Sequence, residues 1–185
     1  MIIDSRQIYE TPVIANAFHG WVDIHGPIDL VFQYLTGDVE LSSWWSSKCS
    51  SEAKPGGKVH YIWDGDVIRT GDAIYRRFEP PSLVVIEWTH SDGQALACDG
   101  QDIRGIQWPP LNTYQLAMLN GTTTRVHLHD MGILAGVPFE EQRKATELGW
   151  QGALARLKRA VEARQSQNLA RRMRRRDQNR VNPER

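Results

Sequence analysis

The feature that most constrains this chain is one long helical pattern near its C-terminus, which follows a series of short strand-like segments. Pro138, Glu140 and Glu141 are typical of a helix start. Large apolar residues then recur at helical spacing, namely Leu148, Trp150, Leu154, Leu157 and Val161. The pattern predicts a helix over residues 138–164, which would be about 40 Å long at 1.5 Å per residue. No other predicted helix is long enough to cover a sheet.

Six segments ahead of this helix are predicted to be strands, because apolar residues alternate in them and turn residues separate them. They span residues 17–25, 58–63, 67–79, 83–90, 112–119 and 123–131. Pro55-Gly56-Gly57 marks a turn before the second strand, and Asn120-Gly121 is a favoured hairpin pair between the last two. Helical spacing over residues 27–36 and 38–46 predicts two short helices after the first strand.

Six antiparallel strands leave one apolar face that another element must cover, and the C-terminal helix is the element that can do so. The sequence therefore predicts an α+β helix-grip fold, in which a curved six-stranded antiparallel sheet surrounds a long C-terminal helix. We expect an apolar cavity between the sheet and the helix. A chain of 185 residues with 41% hydrophobic residues is long enough for one such core and too short for two.

The net charge of zero conceals a division along the chain. Residues 164–185 contain eight arginines against Asp177 and Glu184, which gives +6, so the preceding residues together carry −6. We predict an N-terminal lead-in over 1–16, the helix-grip domain over 17–164, and a basic tail over 165–185. The tail has few apolar residues, which predicts disorder or a frayed helical extension. Arg171–Arg176 are expected either to be solvated or to bind a polyanion weakly.

The sequence gives no sign of a membrane span or of secretion. No run approaches the roughly 20 apolar residues of a membrane helix, and the first residues lack the pattern of a signal peptide. Cys49 and Cys98 form neither a close pair nor a metal-type cluster, which fits a reducing compartment, although one disulfide between them stays open. We expect a cytoplasmic protein that is a monomer or a homodimer.

Aromatic residues are the strongest indication of a binding site. Seven tryptophans in a domain of this size exceed what packing usually requires. Tryptophan and tyrosine carry a polar group on a large apolar body, which suits a ligand pocket. The predicted ligand-binding residues are Trp44, Trp45, Tyr61, Trp63, Trp88, Tyr114, Met118 and Trp150. The alternative is that these side chains simply fill the core.

Polar candidates are few and isolated. By alternation, Asp130 shares the inward face of Val126 and Leu128. A buried carboxylate at this position could have a raised pKa and act as a general base. The alternative is that Asp130 caps the next turn. His127 and His129 stand two apart, a spacing that can chelate a metal, but the same parity turns them outward. With no third ligand, phosphate loop or nucleophile elbow in the sequence, we predict no metal and no cofactor.

The element order, with particular residues in place over about residues 20–162, resembles the START-related (SRPBCC, pollen-allergen-like) superfamily. Within it, the sequence is most similar to the branch named after the C-terminal domain of the heat-shock-protein ATPase activator. The residues that carry the resemblance are Gly26-Pro27, Val31-Phe32, Leu35, Leu41, Trp44-Trp45, Pro55-Gly56-Gly57, Gly71, Pro80-Pro81, Leu83, Trp88, the run from Thr124 to Leu128, Gly132, Gly149-Trp150, Leu154 and Leu157. The resemblance implies an internal hydrophobic cavity in a family of ligand carriers, polyketide cyclases and chaperone regulators.

Two features depart from the family pattern. Asp130 stands where a histidine often precedes the turn after the sixth strand, and the 91–111 link is longer than expected. Because this link lacks a period and is rich in Gly, Asp and Gln, we interpret it as a mobile cover over one end of the cavity.

Three functions are compatible with these observations. The isolated ionisable groups favour binding of a small hydrophobic or aromatic molecule without catalysis. A cyclase- or dehydratase-like enzyme that uses Asp130, Tyr61 or His90 is the first alternative. A module that regulates a chaperone or another protein partner is the second. The fold alone does not choose among them.

Overall fold

In a computed structural model of the chain, one antiparallel sheet curls round the C-terminal helix. The structure describes residues 16–91, 94–95, 111–133 and 140–181. The strands are β1 (Asn16–His25), β2 (Lys48–Ser51), β3 (Lys58–Trp63), β4 (Arg69–Glu79), β5 (Leu83–Ser91), β6 (Gln94–Ala95), β7 (Leu111–Asn120) and β8 (Thr123–Ile133). The helices are α1 (Ile28–Thr36), α2 (Asp38–Trp44) and α3 (Glu140–Val181).

The strands of the described residues lie in the order β1-β8-β7-β5-β4-β3-β2, with β6 paired to β5. Every neighbouring pair is antiparallel. β1 and β2 are therefore at opposite ends of the strand order, and α1 and α2 make the connection between them. α3 contacts β1, α1 and α2. The predicted α+β helix-grip class is confirmed.

Alternating side chains explain which face of the sheet meets the helix. In β8, Thr124, Val126 and Leu128 are buried, whereas Arg125 and His127 between them remain partly exposed. This is the period of two expected for a strand with one covered face. The inward side chains pack in one core with the apolar stripe of α3, namely Trp150, Leu154, Leu157 and Val161.

Polar contacts fix the position of α3 along the edge strand β1. Lys158 Nζ donates a 2.7 Å hydrogen bond to the Asp23 carbonyl, and the His25 backbone N–H donates to Glu162 Oε1 at 2.9 Å. Across the strand pair, Arg125 donates to both carboxylate oxygens of Asp23, at 2.7 and 2.8 Å. The helix therefore has a defined register on the sheet.

All six predicted strands are present, but the described residues contain two more, so the expected count of six is corrected. β2 has the sequence Lys-Cys-Ser-Ser, which has no alternation of large apolar residues to reveal it. It forms because β3 offers a free edge, and Ser51 Oγ adds a 2.6 Å hydrogen bond to the Thr36 carbonyl. β6 is a two-residue pairing within the predicted 91–111 link.

The C-terminal helix continues to Val181 rather than ending near residue 164. No glycine or proline stands between Gly152 and Pro183, and residues such as Ala, Arg, Gln and Leu favour helix even without packing. The described part of the predicted tail is thus helical rather than disordered. The side chains of residues 171–175 are exposed. The end of the helix-grip domain at residue 164 and the binding of a polyanion by Arg171–Arg176 stay predictions.

No helix in the described ranges is long and apolar enough to cross a membrane. Cys49 is a half-buried free thiol, and burial raises its pKa to about 12. Cys98, the lead-in up to residue 15, and residues 92–93 and 96–110 of the predicted cover lie outside the described residues.

Candidate functional site

A pocket of about 470 Å³ opens between the sheet and α3. Four tryptophans, from β3, β5, α3 and the position after α2, form much of its wall, so we call it the indole pocket. It is lined by Trp45, Trp63, Trp88, Asn112, Asp130, Thr146, Gly149, Trp150 and Arg156.

The four indoles form a continuous aromatic surface. Trp45, which follows α2, stacks on Trp150 of α3 with ring centroids 4.8 Å apart and planes 1° from parallel. Trp45 also meets Trp63 edge-on at 5.9 Å, and Trp63 lies 6.3 Å from Trp88. A Cβ on Gly71 would lie 2.9 Å from the Trp88 ring and 3.1 Å from the Trp63 ring. Glycine at this position therefore lets both rings lie across β4.

Three of the four indole N–H groups of the pocket donate to the protein. Trp63 Nε1 donates to the Trp45 carbonyl at 2.8 Å, Trp150 Nε1 donates to Asp130 Oδ2 at 2.5 Å, and Trp88 Nε1 donates to Asn112 Oδ1. The orientations of these three rings are thus fixed by hydrogen bonds, and what they offer to a ligand is the apolar surface of the rings.

A buried polar chain runs across the pocket wall from the sheet to the helix. Asn112 Nδ2 donates to Asp130 Oδ1 at 2.7 Å, so Trp88, Asn112, Asp130 and Trp150 are linked by three consecutive hydrogen bonds. Asn112 is 1% exposed and Asp130 is 8% exposed. Burial raises the pKa of Asp130, and the N–H groups of Trp150 and Asn112 oppose that rise. Asp130 is therefore an inward carboxyl, as its parity predicts.

Two buried tyrosines support the indoles from inside the core. Tyr61 lies 5.6 Å from Trp63 and 5.2 Å from Trp88, whereas Tyr114 contacts Trp150 edge-on at 6.4 Å. Burial raises the pKa of both phenols well above the usual range, so both stay neutral. Their part is to fill space beneath the site.

The eight predicted ligand-binding residues divide into three groups. Trp45, Trp63, Trp88 and Trp150 line the indole pocket, and Tyr61 and Tyr114 pack behind it. Trp44 is buried and contacts Trp45 at 5.7 Å, whereas Met118 is 49% exposed near the end of β7 and lies outside the pocket.

Four lining residues were not among the predicted site residues, namely Asn112, Thr146, Gly149 and Arg156. Asn112 shares the inward parity of Tyr114 and Leu116, so a polar residue at a core-facing position was the available signal. Arg156 lies on α3 next to buried Leu157, and nothing in its spacing distinguishes it from a solvated arginine.

His90, a candidate for the enzyme alternative, is exposed and outside the pocket. Thr89 forms a bulge, because Asp72 pairs with His90 and the next residue, Ala73, pairs with Trp88. Strict alternation along β5 would put His90 on the same face as Trp88, but the bulge shifts the alternation by one residue and turns His90 outward.

A second pocket, of about 520 Å³, adjoins the first. Four serines and two arginines contribute to it, so we call it the serine–arginine pocket. Its lining is Ser42, Ser43, Trp44, Trp45, Ser46, Ser47, Trp63, Asp64, Arg156, Arg159 and Ala160. Arg156 Nε donates to the Trp44 carbonyl at 3.0 Å, which fixes the guanidinium beside the α2 end.

Histidines cluster at β1 and β8, on the face turned away from the core. His19 stacks on His129 at 4.2 Å and lies 6.0 Å from His127. Burial lowers the pKa of His129, and His19 and His127 lower it further. Among the described side chains, no group of histidine, cysteine, aspartate or glutamate has a geometry that could hold a metal.

Comparisons with known proteins agree with this architecture. Residues 25–162 match the family model described as Activator of Hsp90 ATPase homolog 1-like protein. No curated protein matches the chain. Three similar solved structures are the Aha1 dimer from Colwellia psychrerythraea, CV1439 from Chromobacterium violaceum, and DynU16 of the dynemicin biosynthetic locus.

These likenesses are structural, with low sequence identity. The Aha1 structure has a TM-score of 0.63 at 17% identity and covers 80% of this chain and 97% of its own. CV1439 gives 0.60 at 18% identity, covering 80% and 99%, respectively. DynU16 gives 0.59 at 19% identity over 80% of this chain but only 48% of its own. At such identities the likeness shows the shared fold.

Proposed function

The chain belongs to the family of Activator of Hsp90 ATPase homolog 1-like proteins, and on that premise we propose that it binds a small aromatic or hydrophobic molecule in the indole pocket without converting it. The family fold commonly holds hydrophobic ligands. The pocket volume of about 470 Å³ lies within the range of small-molecule sites.

The observation that carries this proposal is the state of the indoles. Trp45, Trp63 and Trp88 are only half-buried although they line a concave site, and the N–H groups of Trp63 and Trp88 are already bonded within the protein. Water interacts poorly with these apolar ring faces. A flat apolar ligand can cover them and make ring contacts worth about 0.5–1.5 kcal/mol for each aromatic pair.

The ionisable groups of the pocket favour binding over catalysis. Both oxygens of Asp130 already accept hydrogen bonds from Asn112 and Trp150, and Arg156 donates to the Trp44 carbonyl. These two bonds occupy one acceptor site on each carboxylate oxygen and hold the carboxylate against Asn112 and Trp150, in the wall of the pocket. The buried acid is nevertheless the one observation that favours a cyclase-like enzyme, which makes Asp130 the residue to vary.

Calorimetric titration with 2-naphthol, a flat neutral probe, tests the proposal. We expect binding to the wild-type chain, and Trp45→Leu or Trp88→Leu should weaken it about 3- to 10-fold, because each removes one ring contact. Trp21→Leu is the matched control, since Trp21 is 59% exposed on β1 and is not among the residues that line the indole pocket. Equal affinity in all four proteins would contradict the proposal.

Native mass spectrometry addresses the natural ligand and the enzyme alternative. A co-purified small molecule that is lost in Trp45→Leu would support a carrier. Asp130→Asn should retain this molecule unchanged if Asp130 is structural. Accumulation of a precursor of different mass in Asp130→Asn would favour the enzyme instead.

A further inference from the structure

The indole pocket and the serine–arginine pocket adjoin each other, and we call the two together the groove. Trp45, Trp63 and Arg156 line both of them. A molecule whose aromatic body covers Trp45 and Trp63 can therefore place its other end beside the arginines and serines. The chemistry of that second pocket indicates what the other end must be.

Two arginines supply positive charge without a countercharge of their own. Arg156 and Arg159 are three residues apart on α3, so their side chains lie on one face of the helix. In the described part of the chain, Arg159 has no hydrogen-bond or ion-pair partner, and Arg156 uses Nε alone, for the Trp44 carbonyl. The terminal N–H groups of both guanidiniums remain for a ligand, in a fork that matches a carboxylate.

A buried hydroxyl without a partner lies in the same pocket. Ser46 is 7% exposed, and its Oγ is buried with no hydrogen-bond partner among the described residues. Such a group costs free energy and calls for an explanation in a native protein.

The neighbouring serines are already engaged. Ser42 Oγ donates to the Asp38 carbonyl at 2.8 Å, Ser43 Oγ donates to the Glu40 carbonyl at 2.6 Å, and Ser47 Oγ accepts from the Asp64 backbone at 2.8 Å. Ser42 and Ser43 have therefore used their O–H donors, whereas Ser46 and Ser47 each keep one for a ligand oxygen. Ser46 is the buried one of these two, since Ser47 is exposed.

Charge decides between an anionic and a cationic ligand. Asp64 is exposed and opposes two guanidiniums, so the serine–arginine pocket carries a net positive charge. In the indole pocket, Asp130 already receives two N–H groups, and Arg156 would repel a cation. The groove as a whole thus favours an anion over an amine, even though indoles can also attract cations.

We propose that the ligand is an aromatic carboxylate, whose ring lies against Trp45 and Trp63 and whose carboxylate binds Arg156, Arg159 and the Ser46 hydroxyl. This assignment rests on the proposed binding function and specifies its ligand class.

Calorimetry with three probes of one shape tests the assignment on the full chain: 2-naphthoate, neutral 2-naphthamide and cationic 2-naphthylmethylammonium. We expect the naphthoate to bind about tenfold more tightly than the amide, since partly exposed charge-assisted hydrogen bonds are of that size. Arg159→Gln should remove most of this preference and leave the amide affinity unchanged. Arg171→Gln, on the exposed part of α3, is the matched control and should change neither.

Ser46→Ala gives an independent measurement. It should raise the melting temperature of the free protein by about 2–4 °C, because an unsatisfied buried hydroxyl is removed. The same variant should weaken naphthoate and leave naphthamide unaffected. Arg159 has no described hydrogen bond or ion pair to lose, so Arg159→Gln remains informative even if Arg156→Gln proves unstable.

The outcomes separate this assignment from the proposed function. Equal affinity for naphthoate and naphthamide would overturn the anionic ligand and leave the indole pocket as a neutral site. Tightest binding of the ammonium probe would also overturn it and would transfer the polar recognition to Asp130. Failure of all three probes to bind would overturn both proposals.

Discussion

Replacing Asp130 with asparagine changes one acceptor of the buried polar chain into a donor. In the native protein, one oxygen of Asp130 accepts from Asn112 at 2.7 Å and the other from Trp150 at 2.5 Å. The new amide at position 130 must turn its NH₂ group toward one of these two donors. One buried hydrogen bond is then lost, and the donor left unpaired costs about 1–3 kcal/mol. The melting temperature should fall by about 2–12 °C.

The cost of Asp130→Asn should depend on pH in a definite direction. Burial raises the folded-state pKa of Asp130 above its usual value of 3.8. The folded protein therefore binds more protons than the unfolded chain above about pH 4, so the contribution of Asp130 to stability is lost as the pH rises through its folded pKa. Asparagine does not titrate. The stability difference between wild type and variant should thus be larger at pH 4.5 than at pH 7.5.

A charge-swapped double variant is the matched control. In Asn112→Asp/Asp130→Asn, the new carboxylate accepts from Trp88 and from the new amide, whose oxygen accepts from Trp150. All three hydrogen bonds return with the central one reversed, so the double variant should recover most of the loss. Urea unfolding followed by tryptophan fluorescence at both pH values gives the free energies. No recovery in the double variant, or no loss in the single one, would refute the polar chain as the cause.

Three further predictions use other parts of the molecule. Deletion of residues 171–185 should change the melting temperature by less than about 2 °C in calorimetry, because the described side chains there are exposed; a larger fall would show that the extension packs. His129→Gln should reduce the loss of stability between pH 7 and pH 5, because a His pKa lowered by burial makes the folded state less stable as the pH falls below about 6.5. An equal loss of stability in wild type and variant, measured by urea unfolding at both pH values, would contradict this. Cys49 should react slowly with iodoacetamide at pH 8 in the folded protein and quickly in urea, because burial raises its pKa to about 12; equal peptide labelling by mass spectrometry would count against it.

Much of the fold was predictable because hydrophobic alternation reports a covered sheet face directly. The segments that escaped lack that signal. β2 is polar and is held by the edge of β3, whereas the extension of α3 past residue 164 is helical through propensity rather than through an apolar stripe. A single-residue bulge at Thr89 was also invisible, and it moved His90 to the other face.

The sequence predicted the aromatic residues of the candidate site and the inward position of Asp130, but not Asn112 or Arg156. Trp63 and Trp88, both predicted ligand-binding residues, lie together because β3 and β5 both pair with β4. The pairing of Asn112 with Asp130 depends on the register of β7 against β8, and Arg156 depends on how α3 lies over the end of α2. The spacing of residues along one element predicts neither the register between two strands nor the position of a helix on its neighbours.

Because α3 is one continuous helix, a change of its angle at the groove would move its far end as well. The part of α3 that borders the groove carries Trp150, Arg156 and Arg159. The same helix continues to Val181 and carries the basic residues of the extension, which we call the arm. From Val161 to Val181 the arm is about 30 Å long, so a tilt of about 5° at the groove would displace its tip by about 2.6 Å. If occupation of the groove tilts α3, a partner that binds the arm in one tilt only changes the affinity of the groove for its ligand. By thermodynamic reciprocity, the ligand then changes the affinity of the arm for that partner by the same factor.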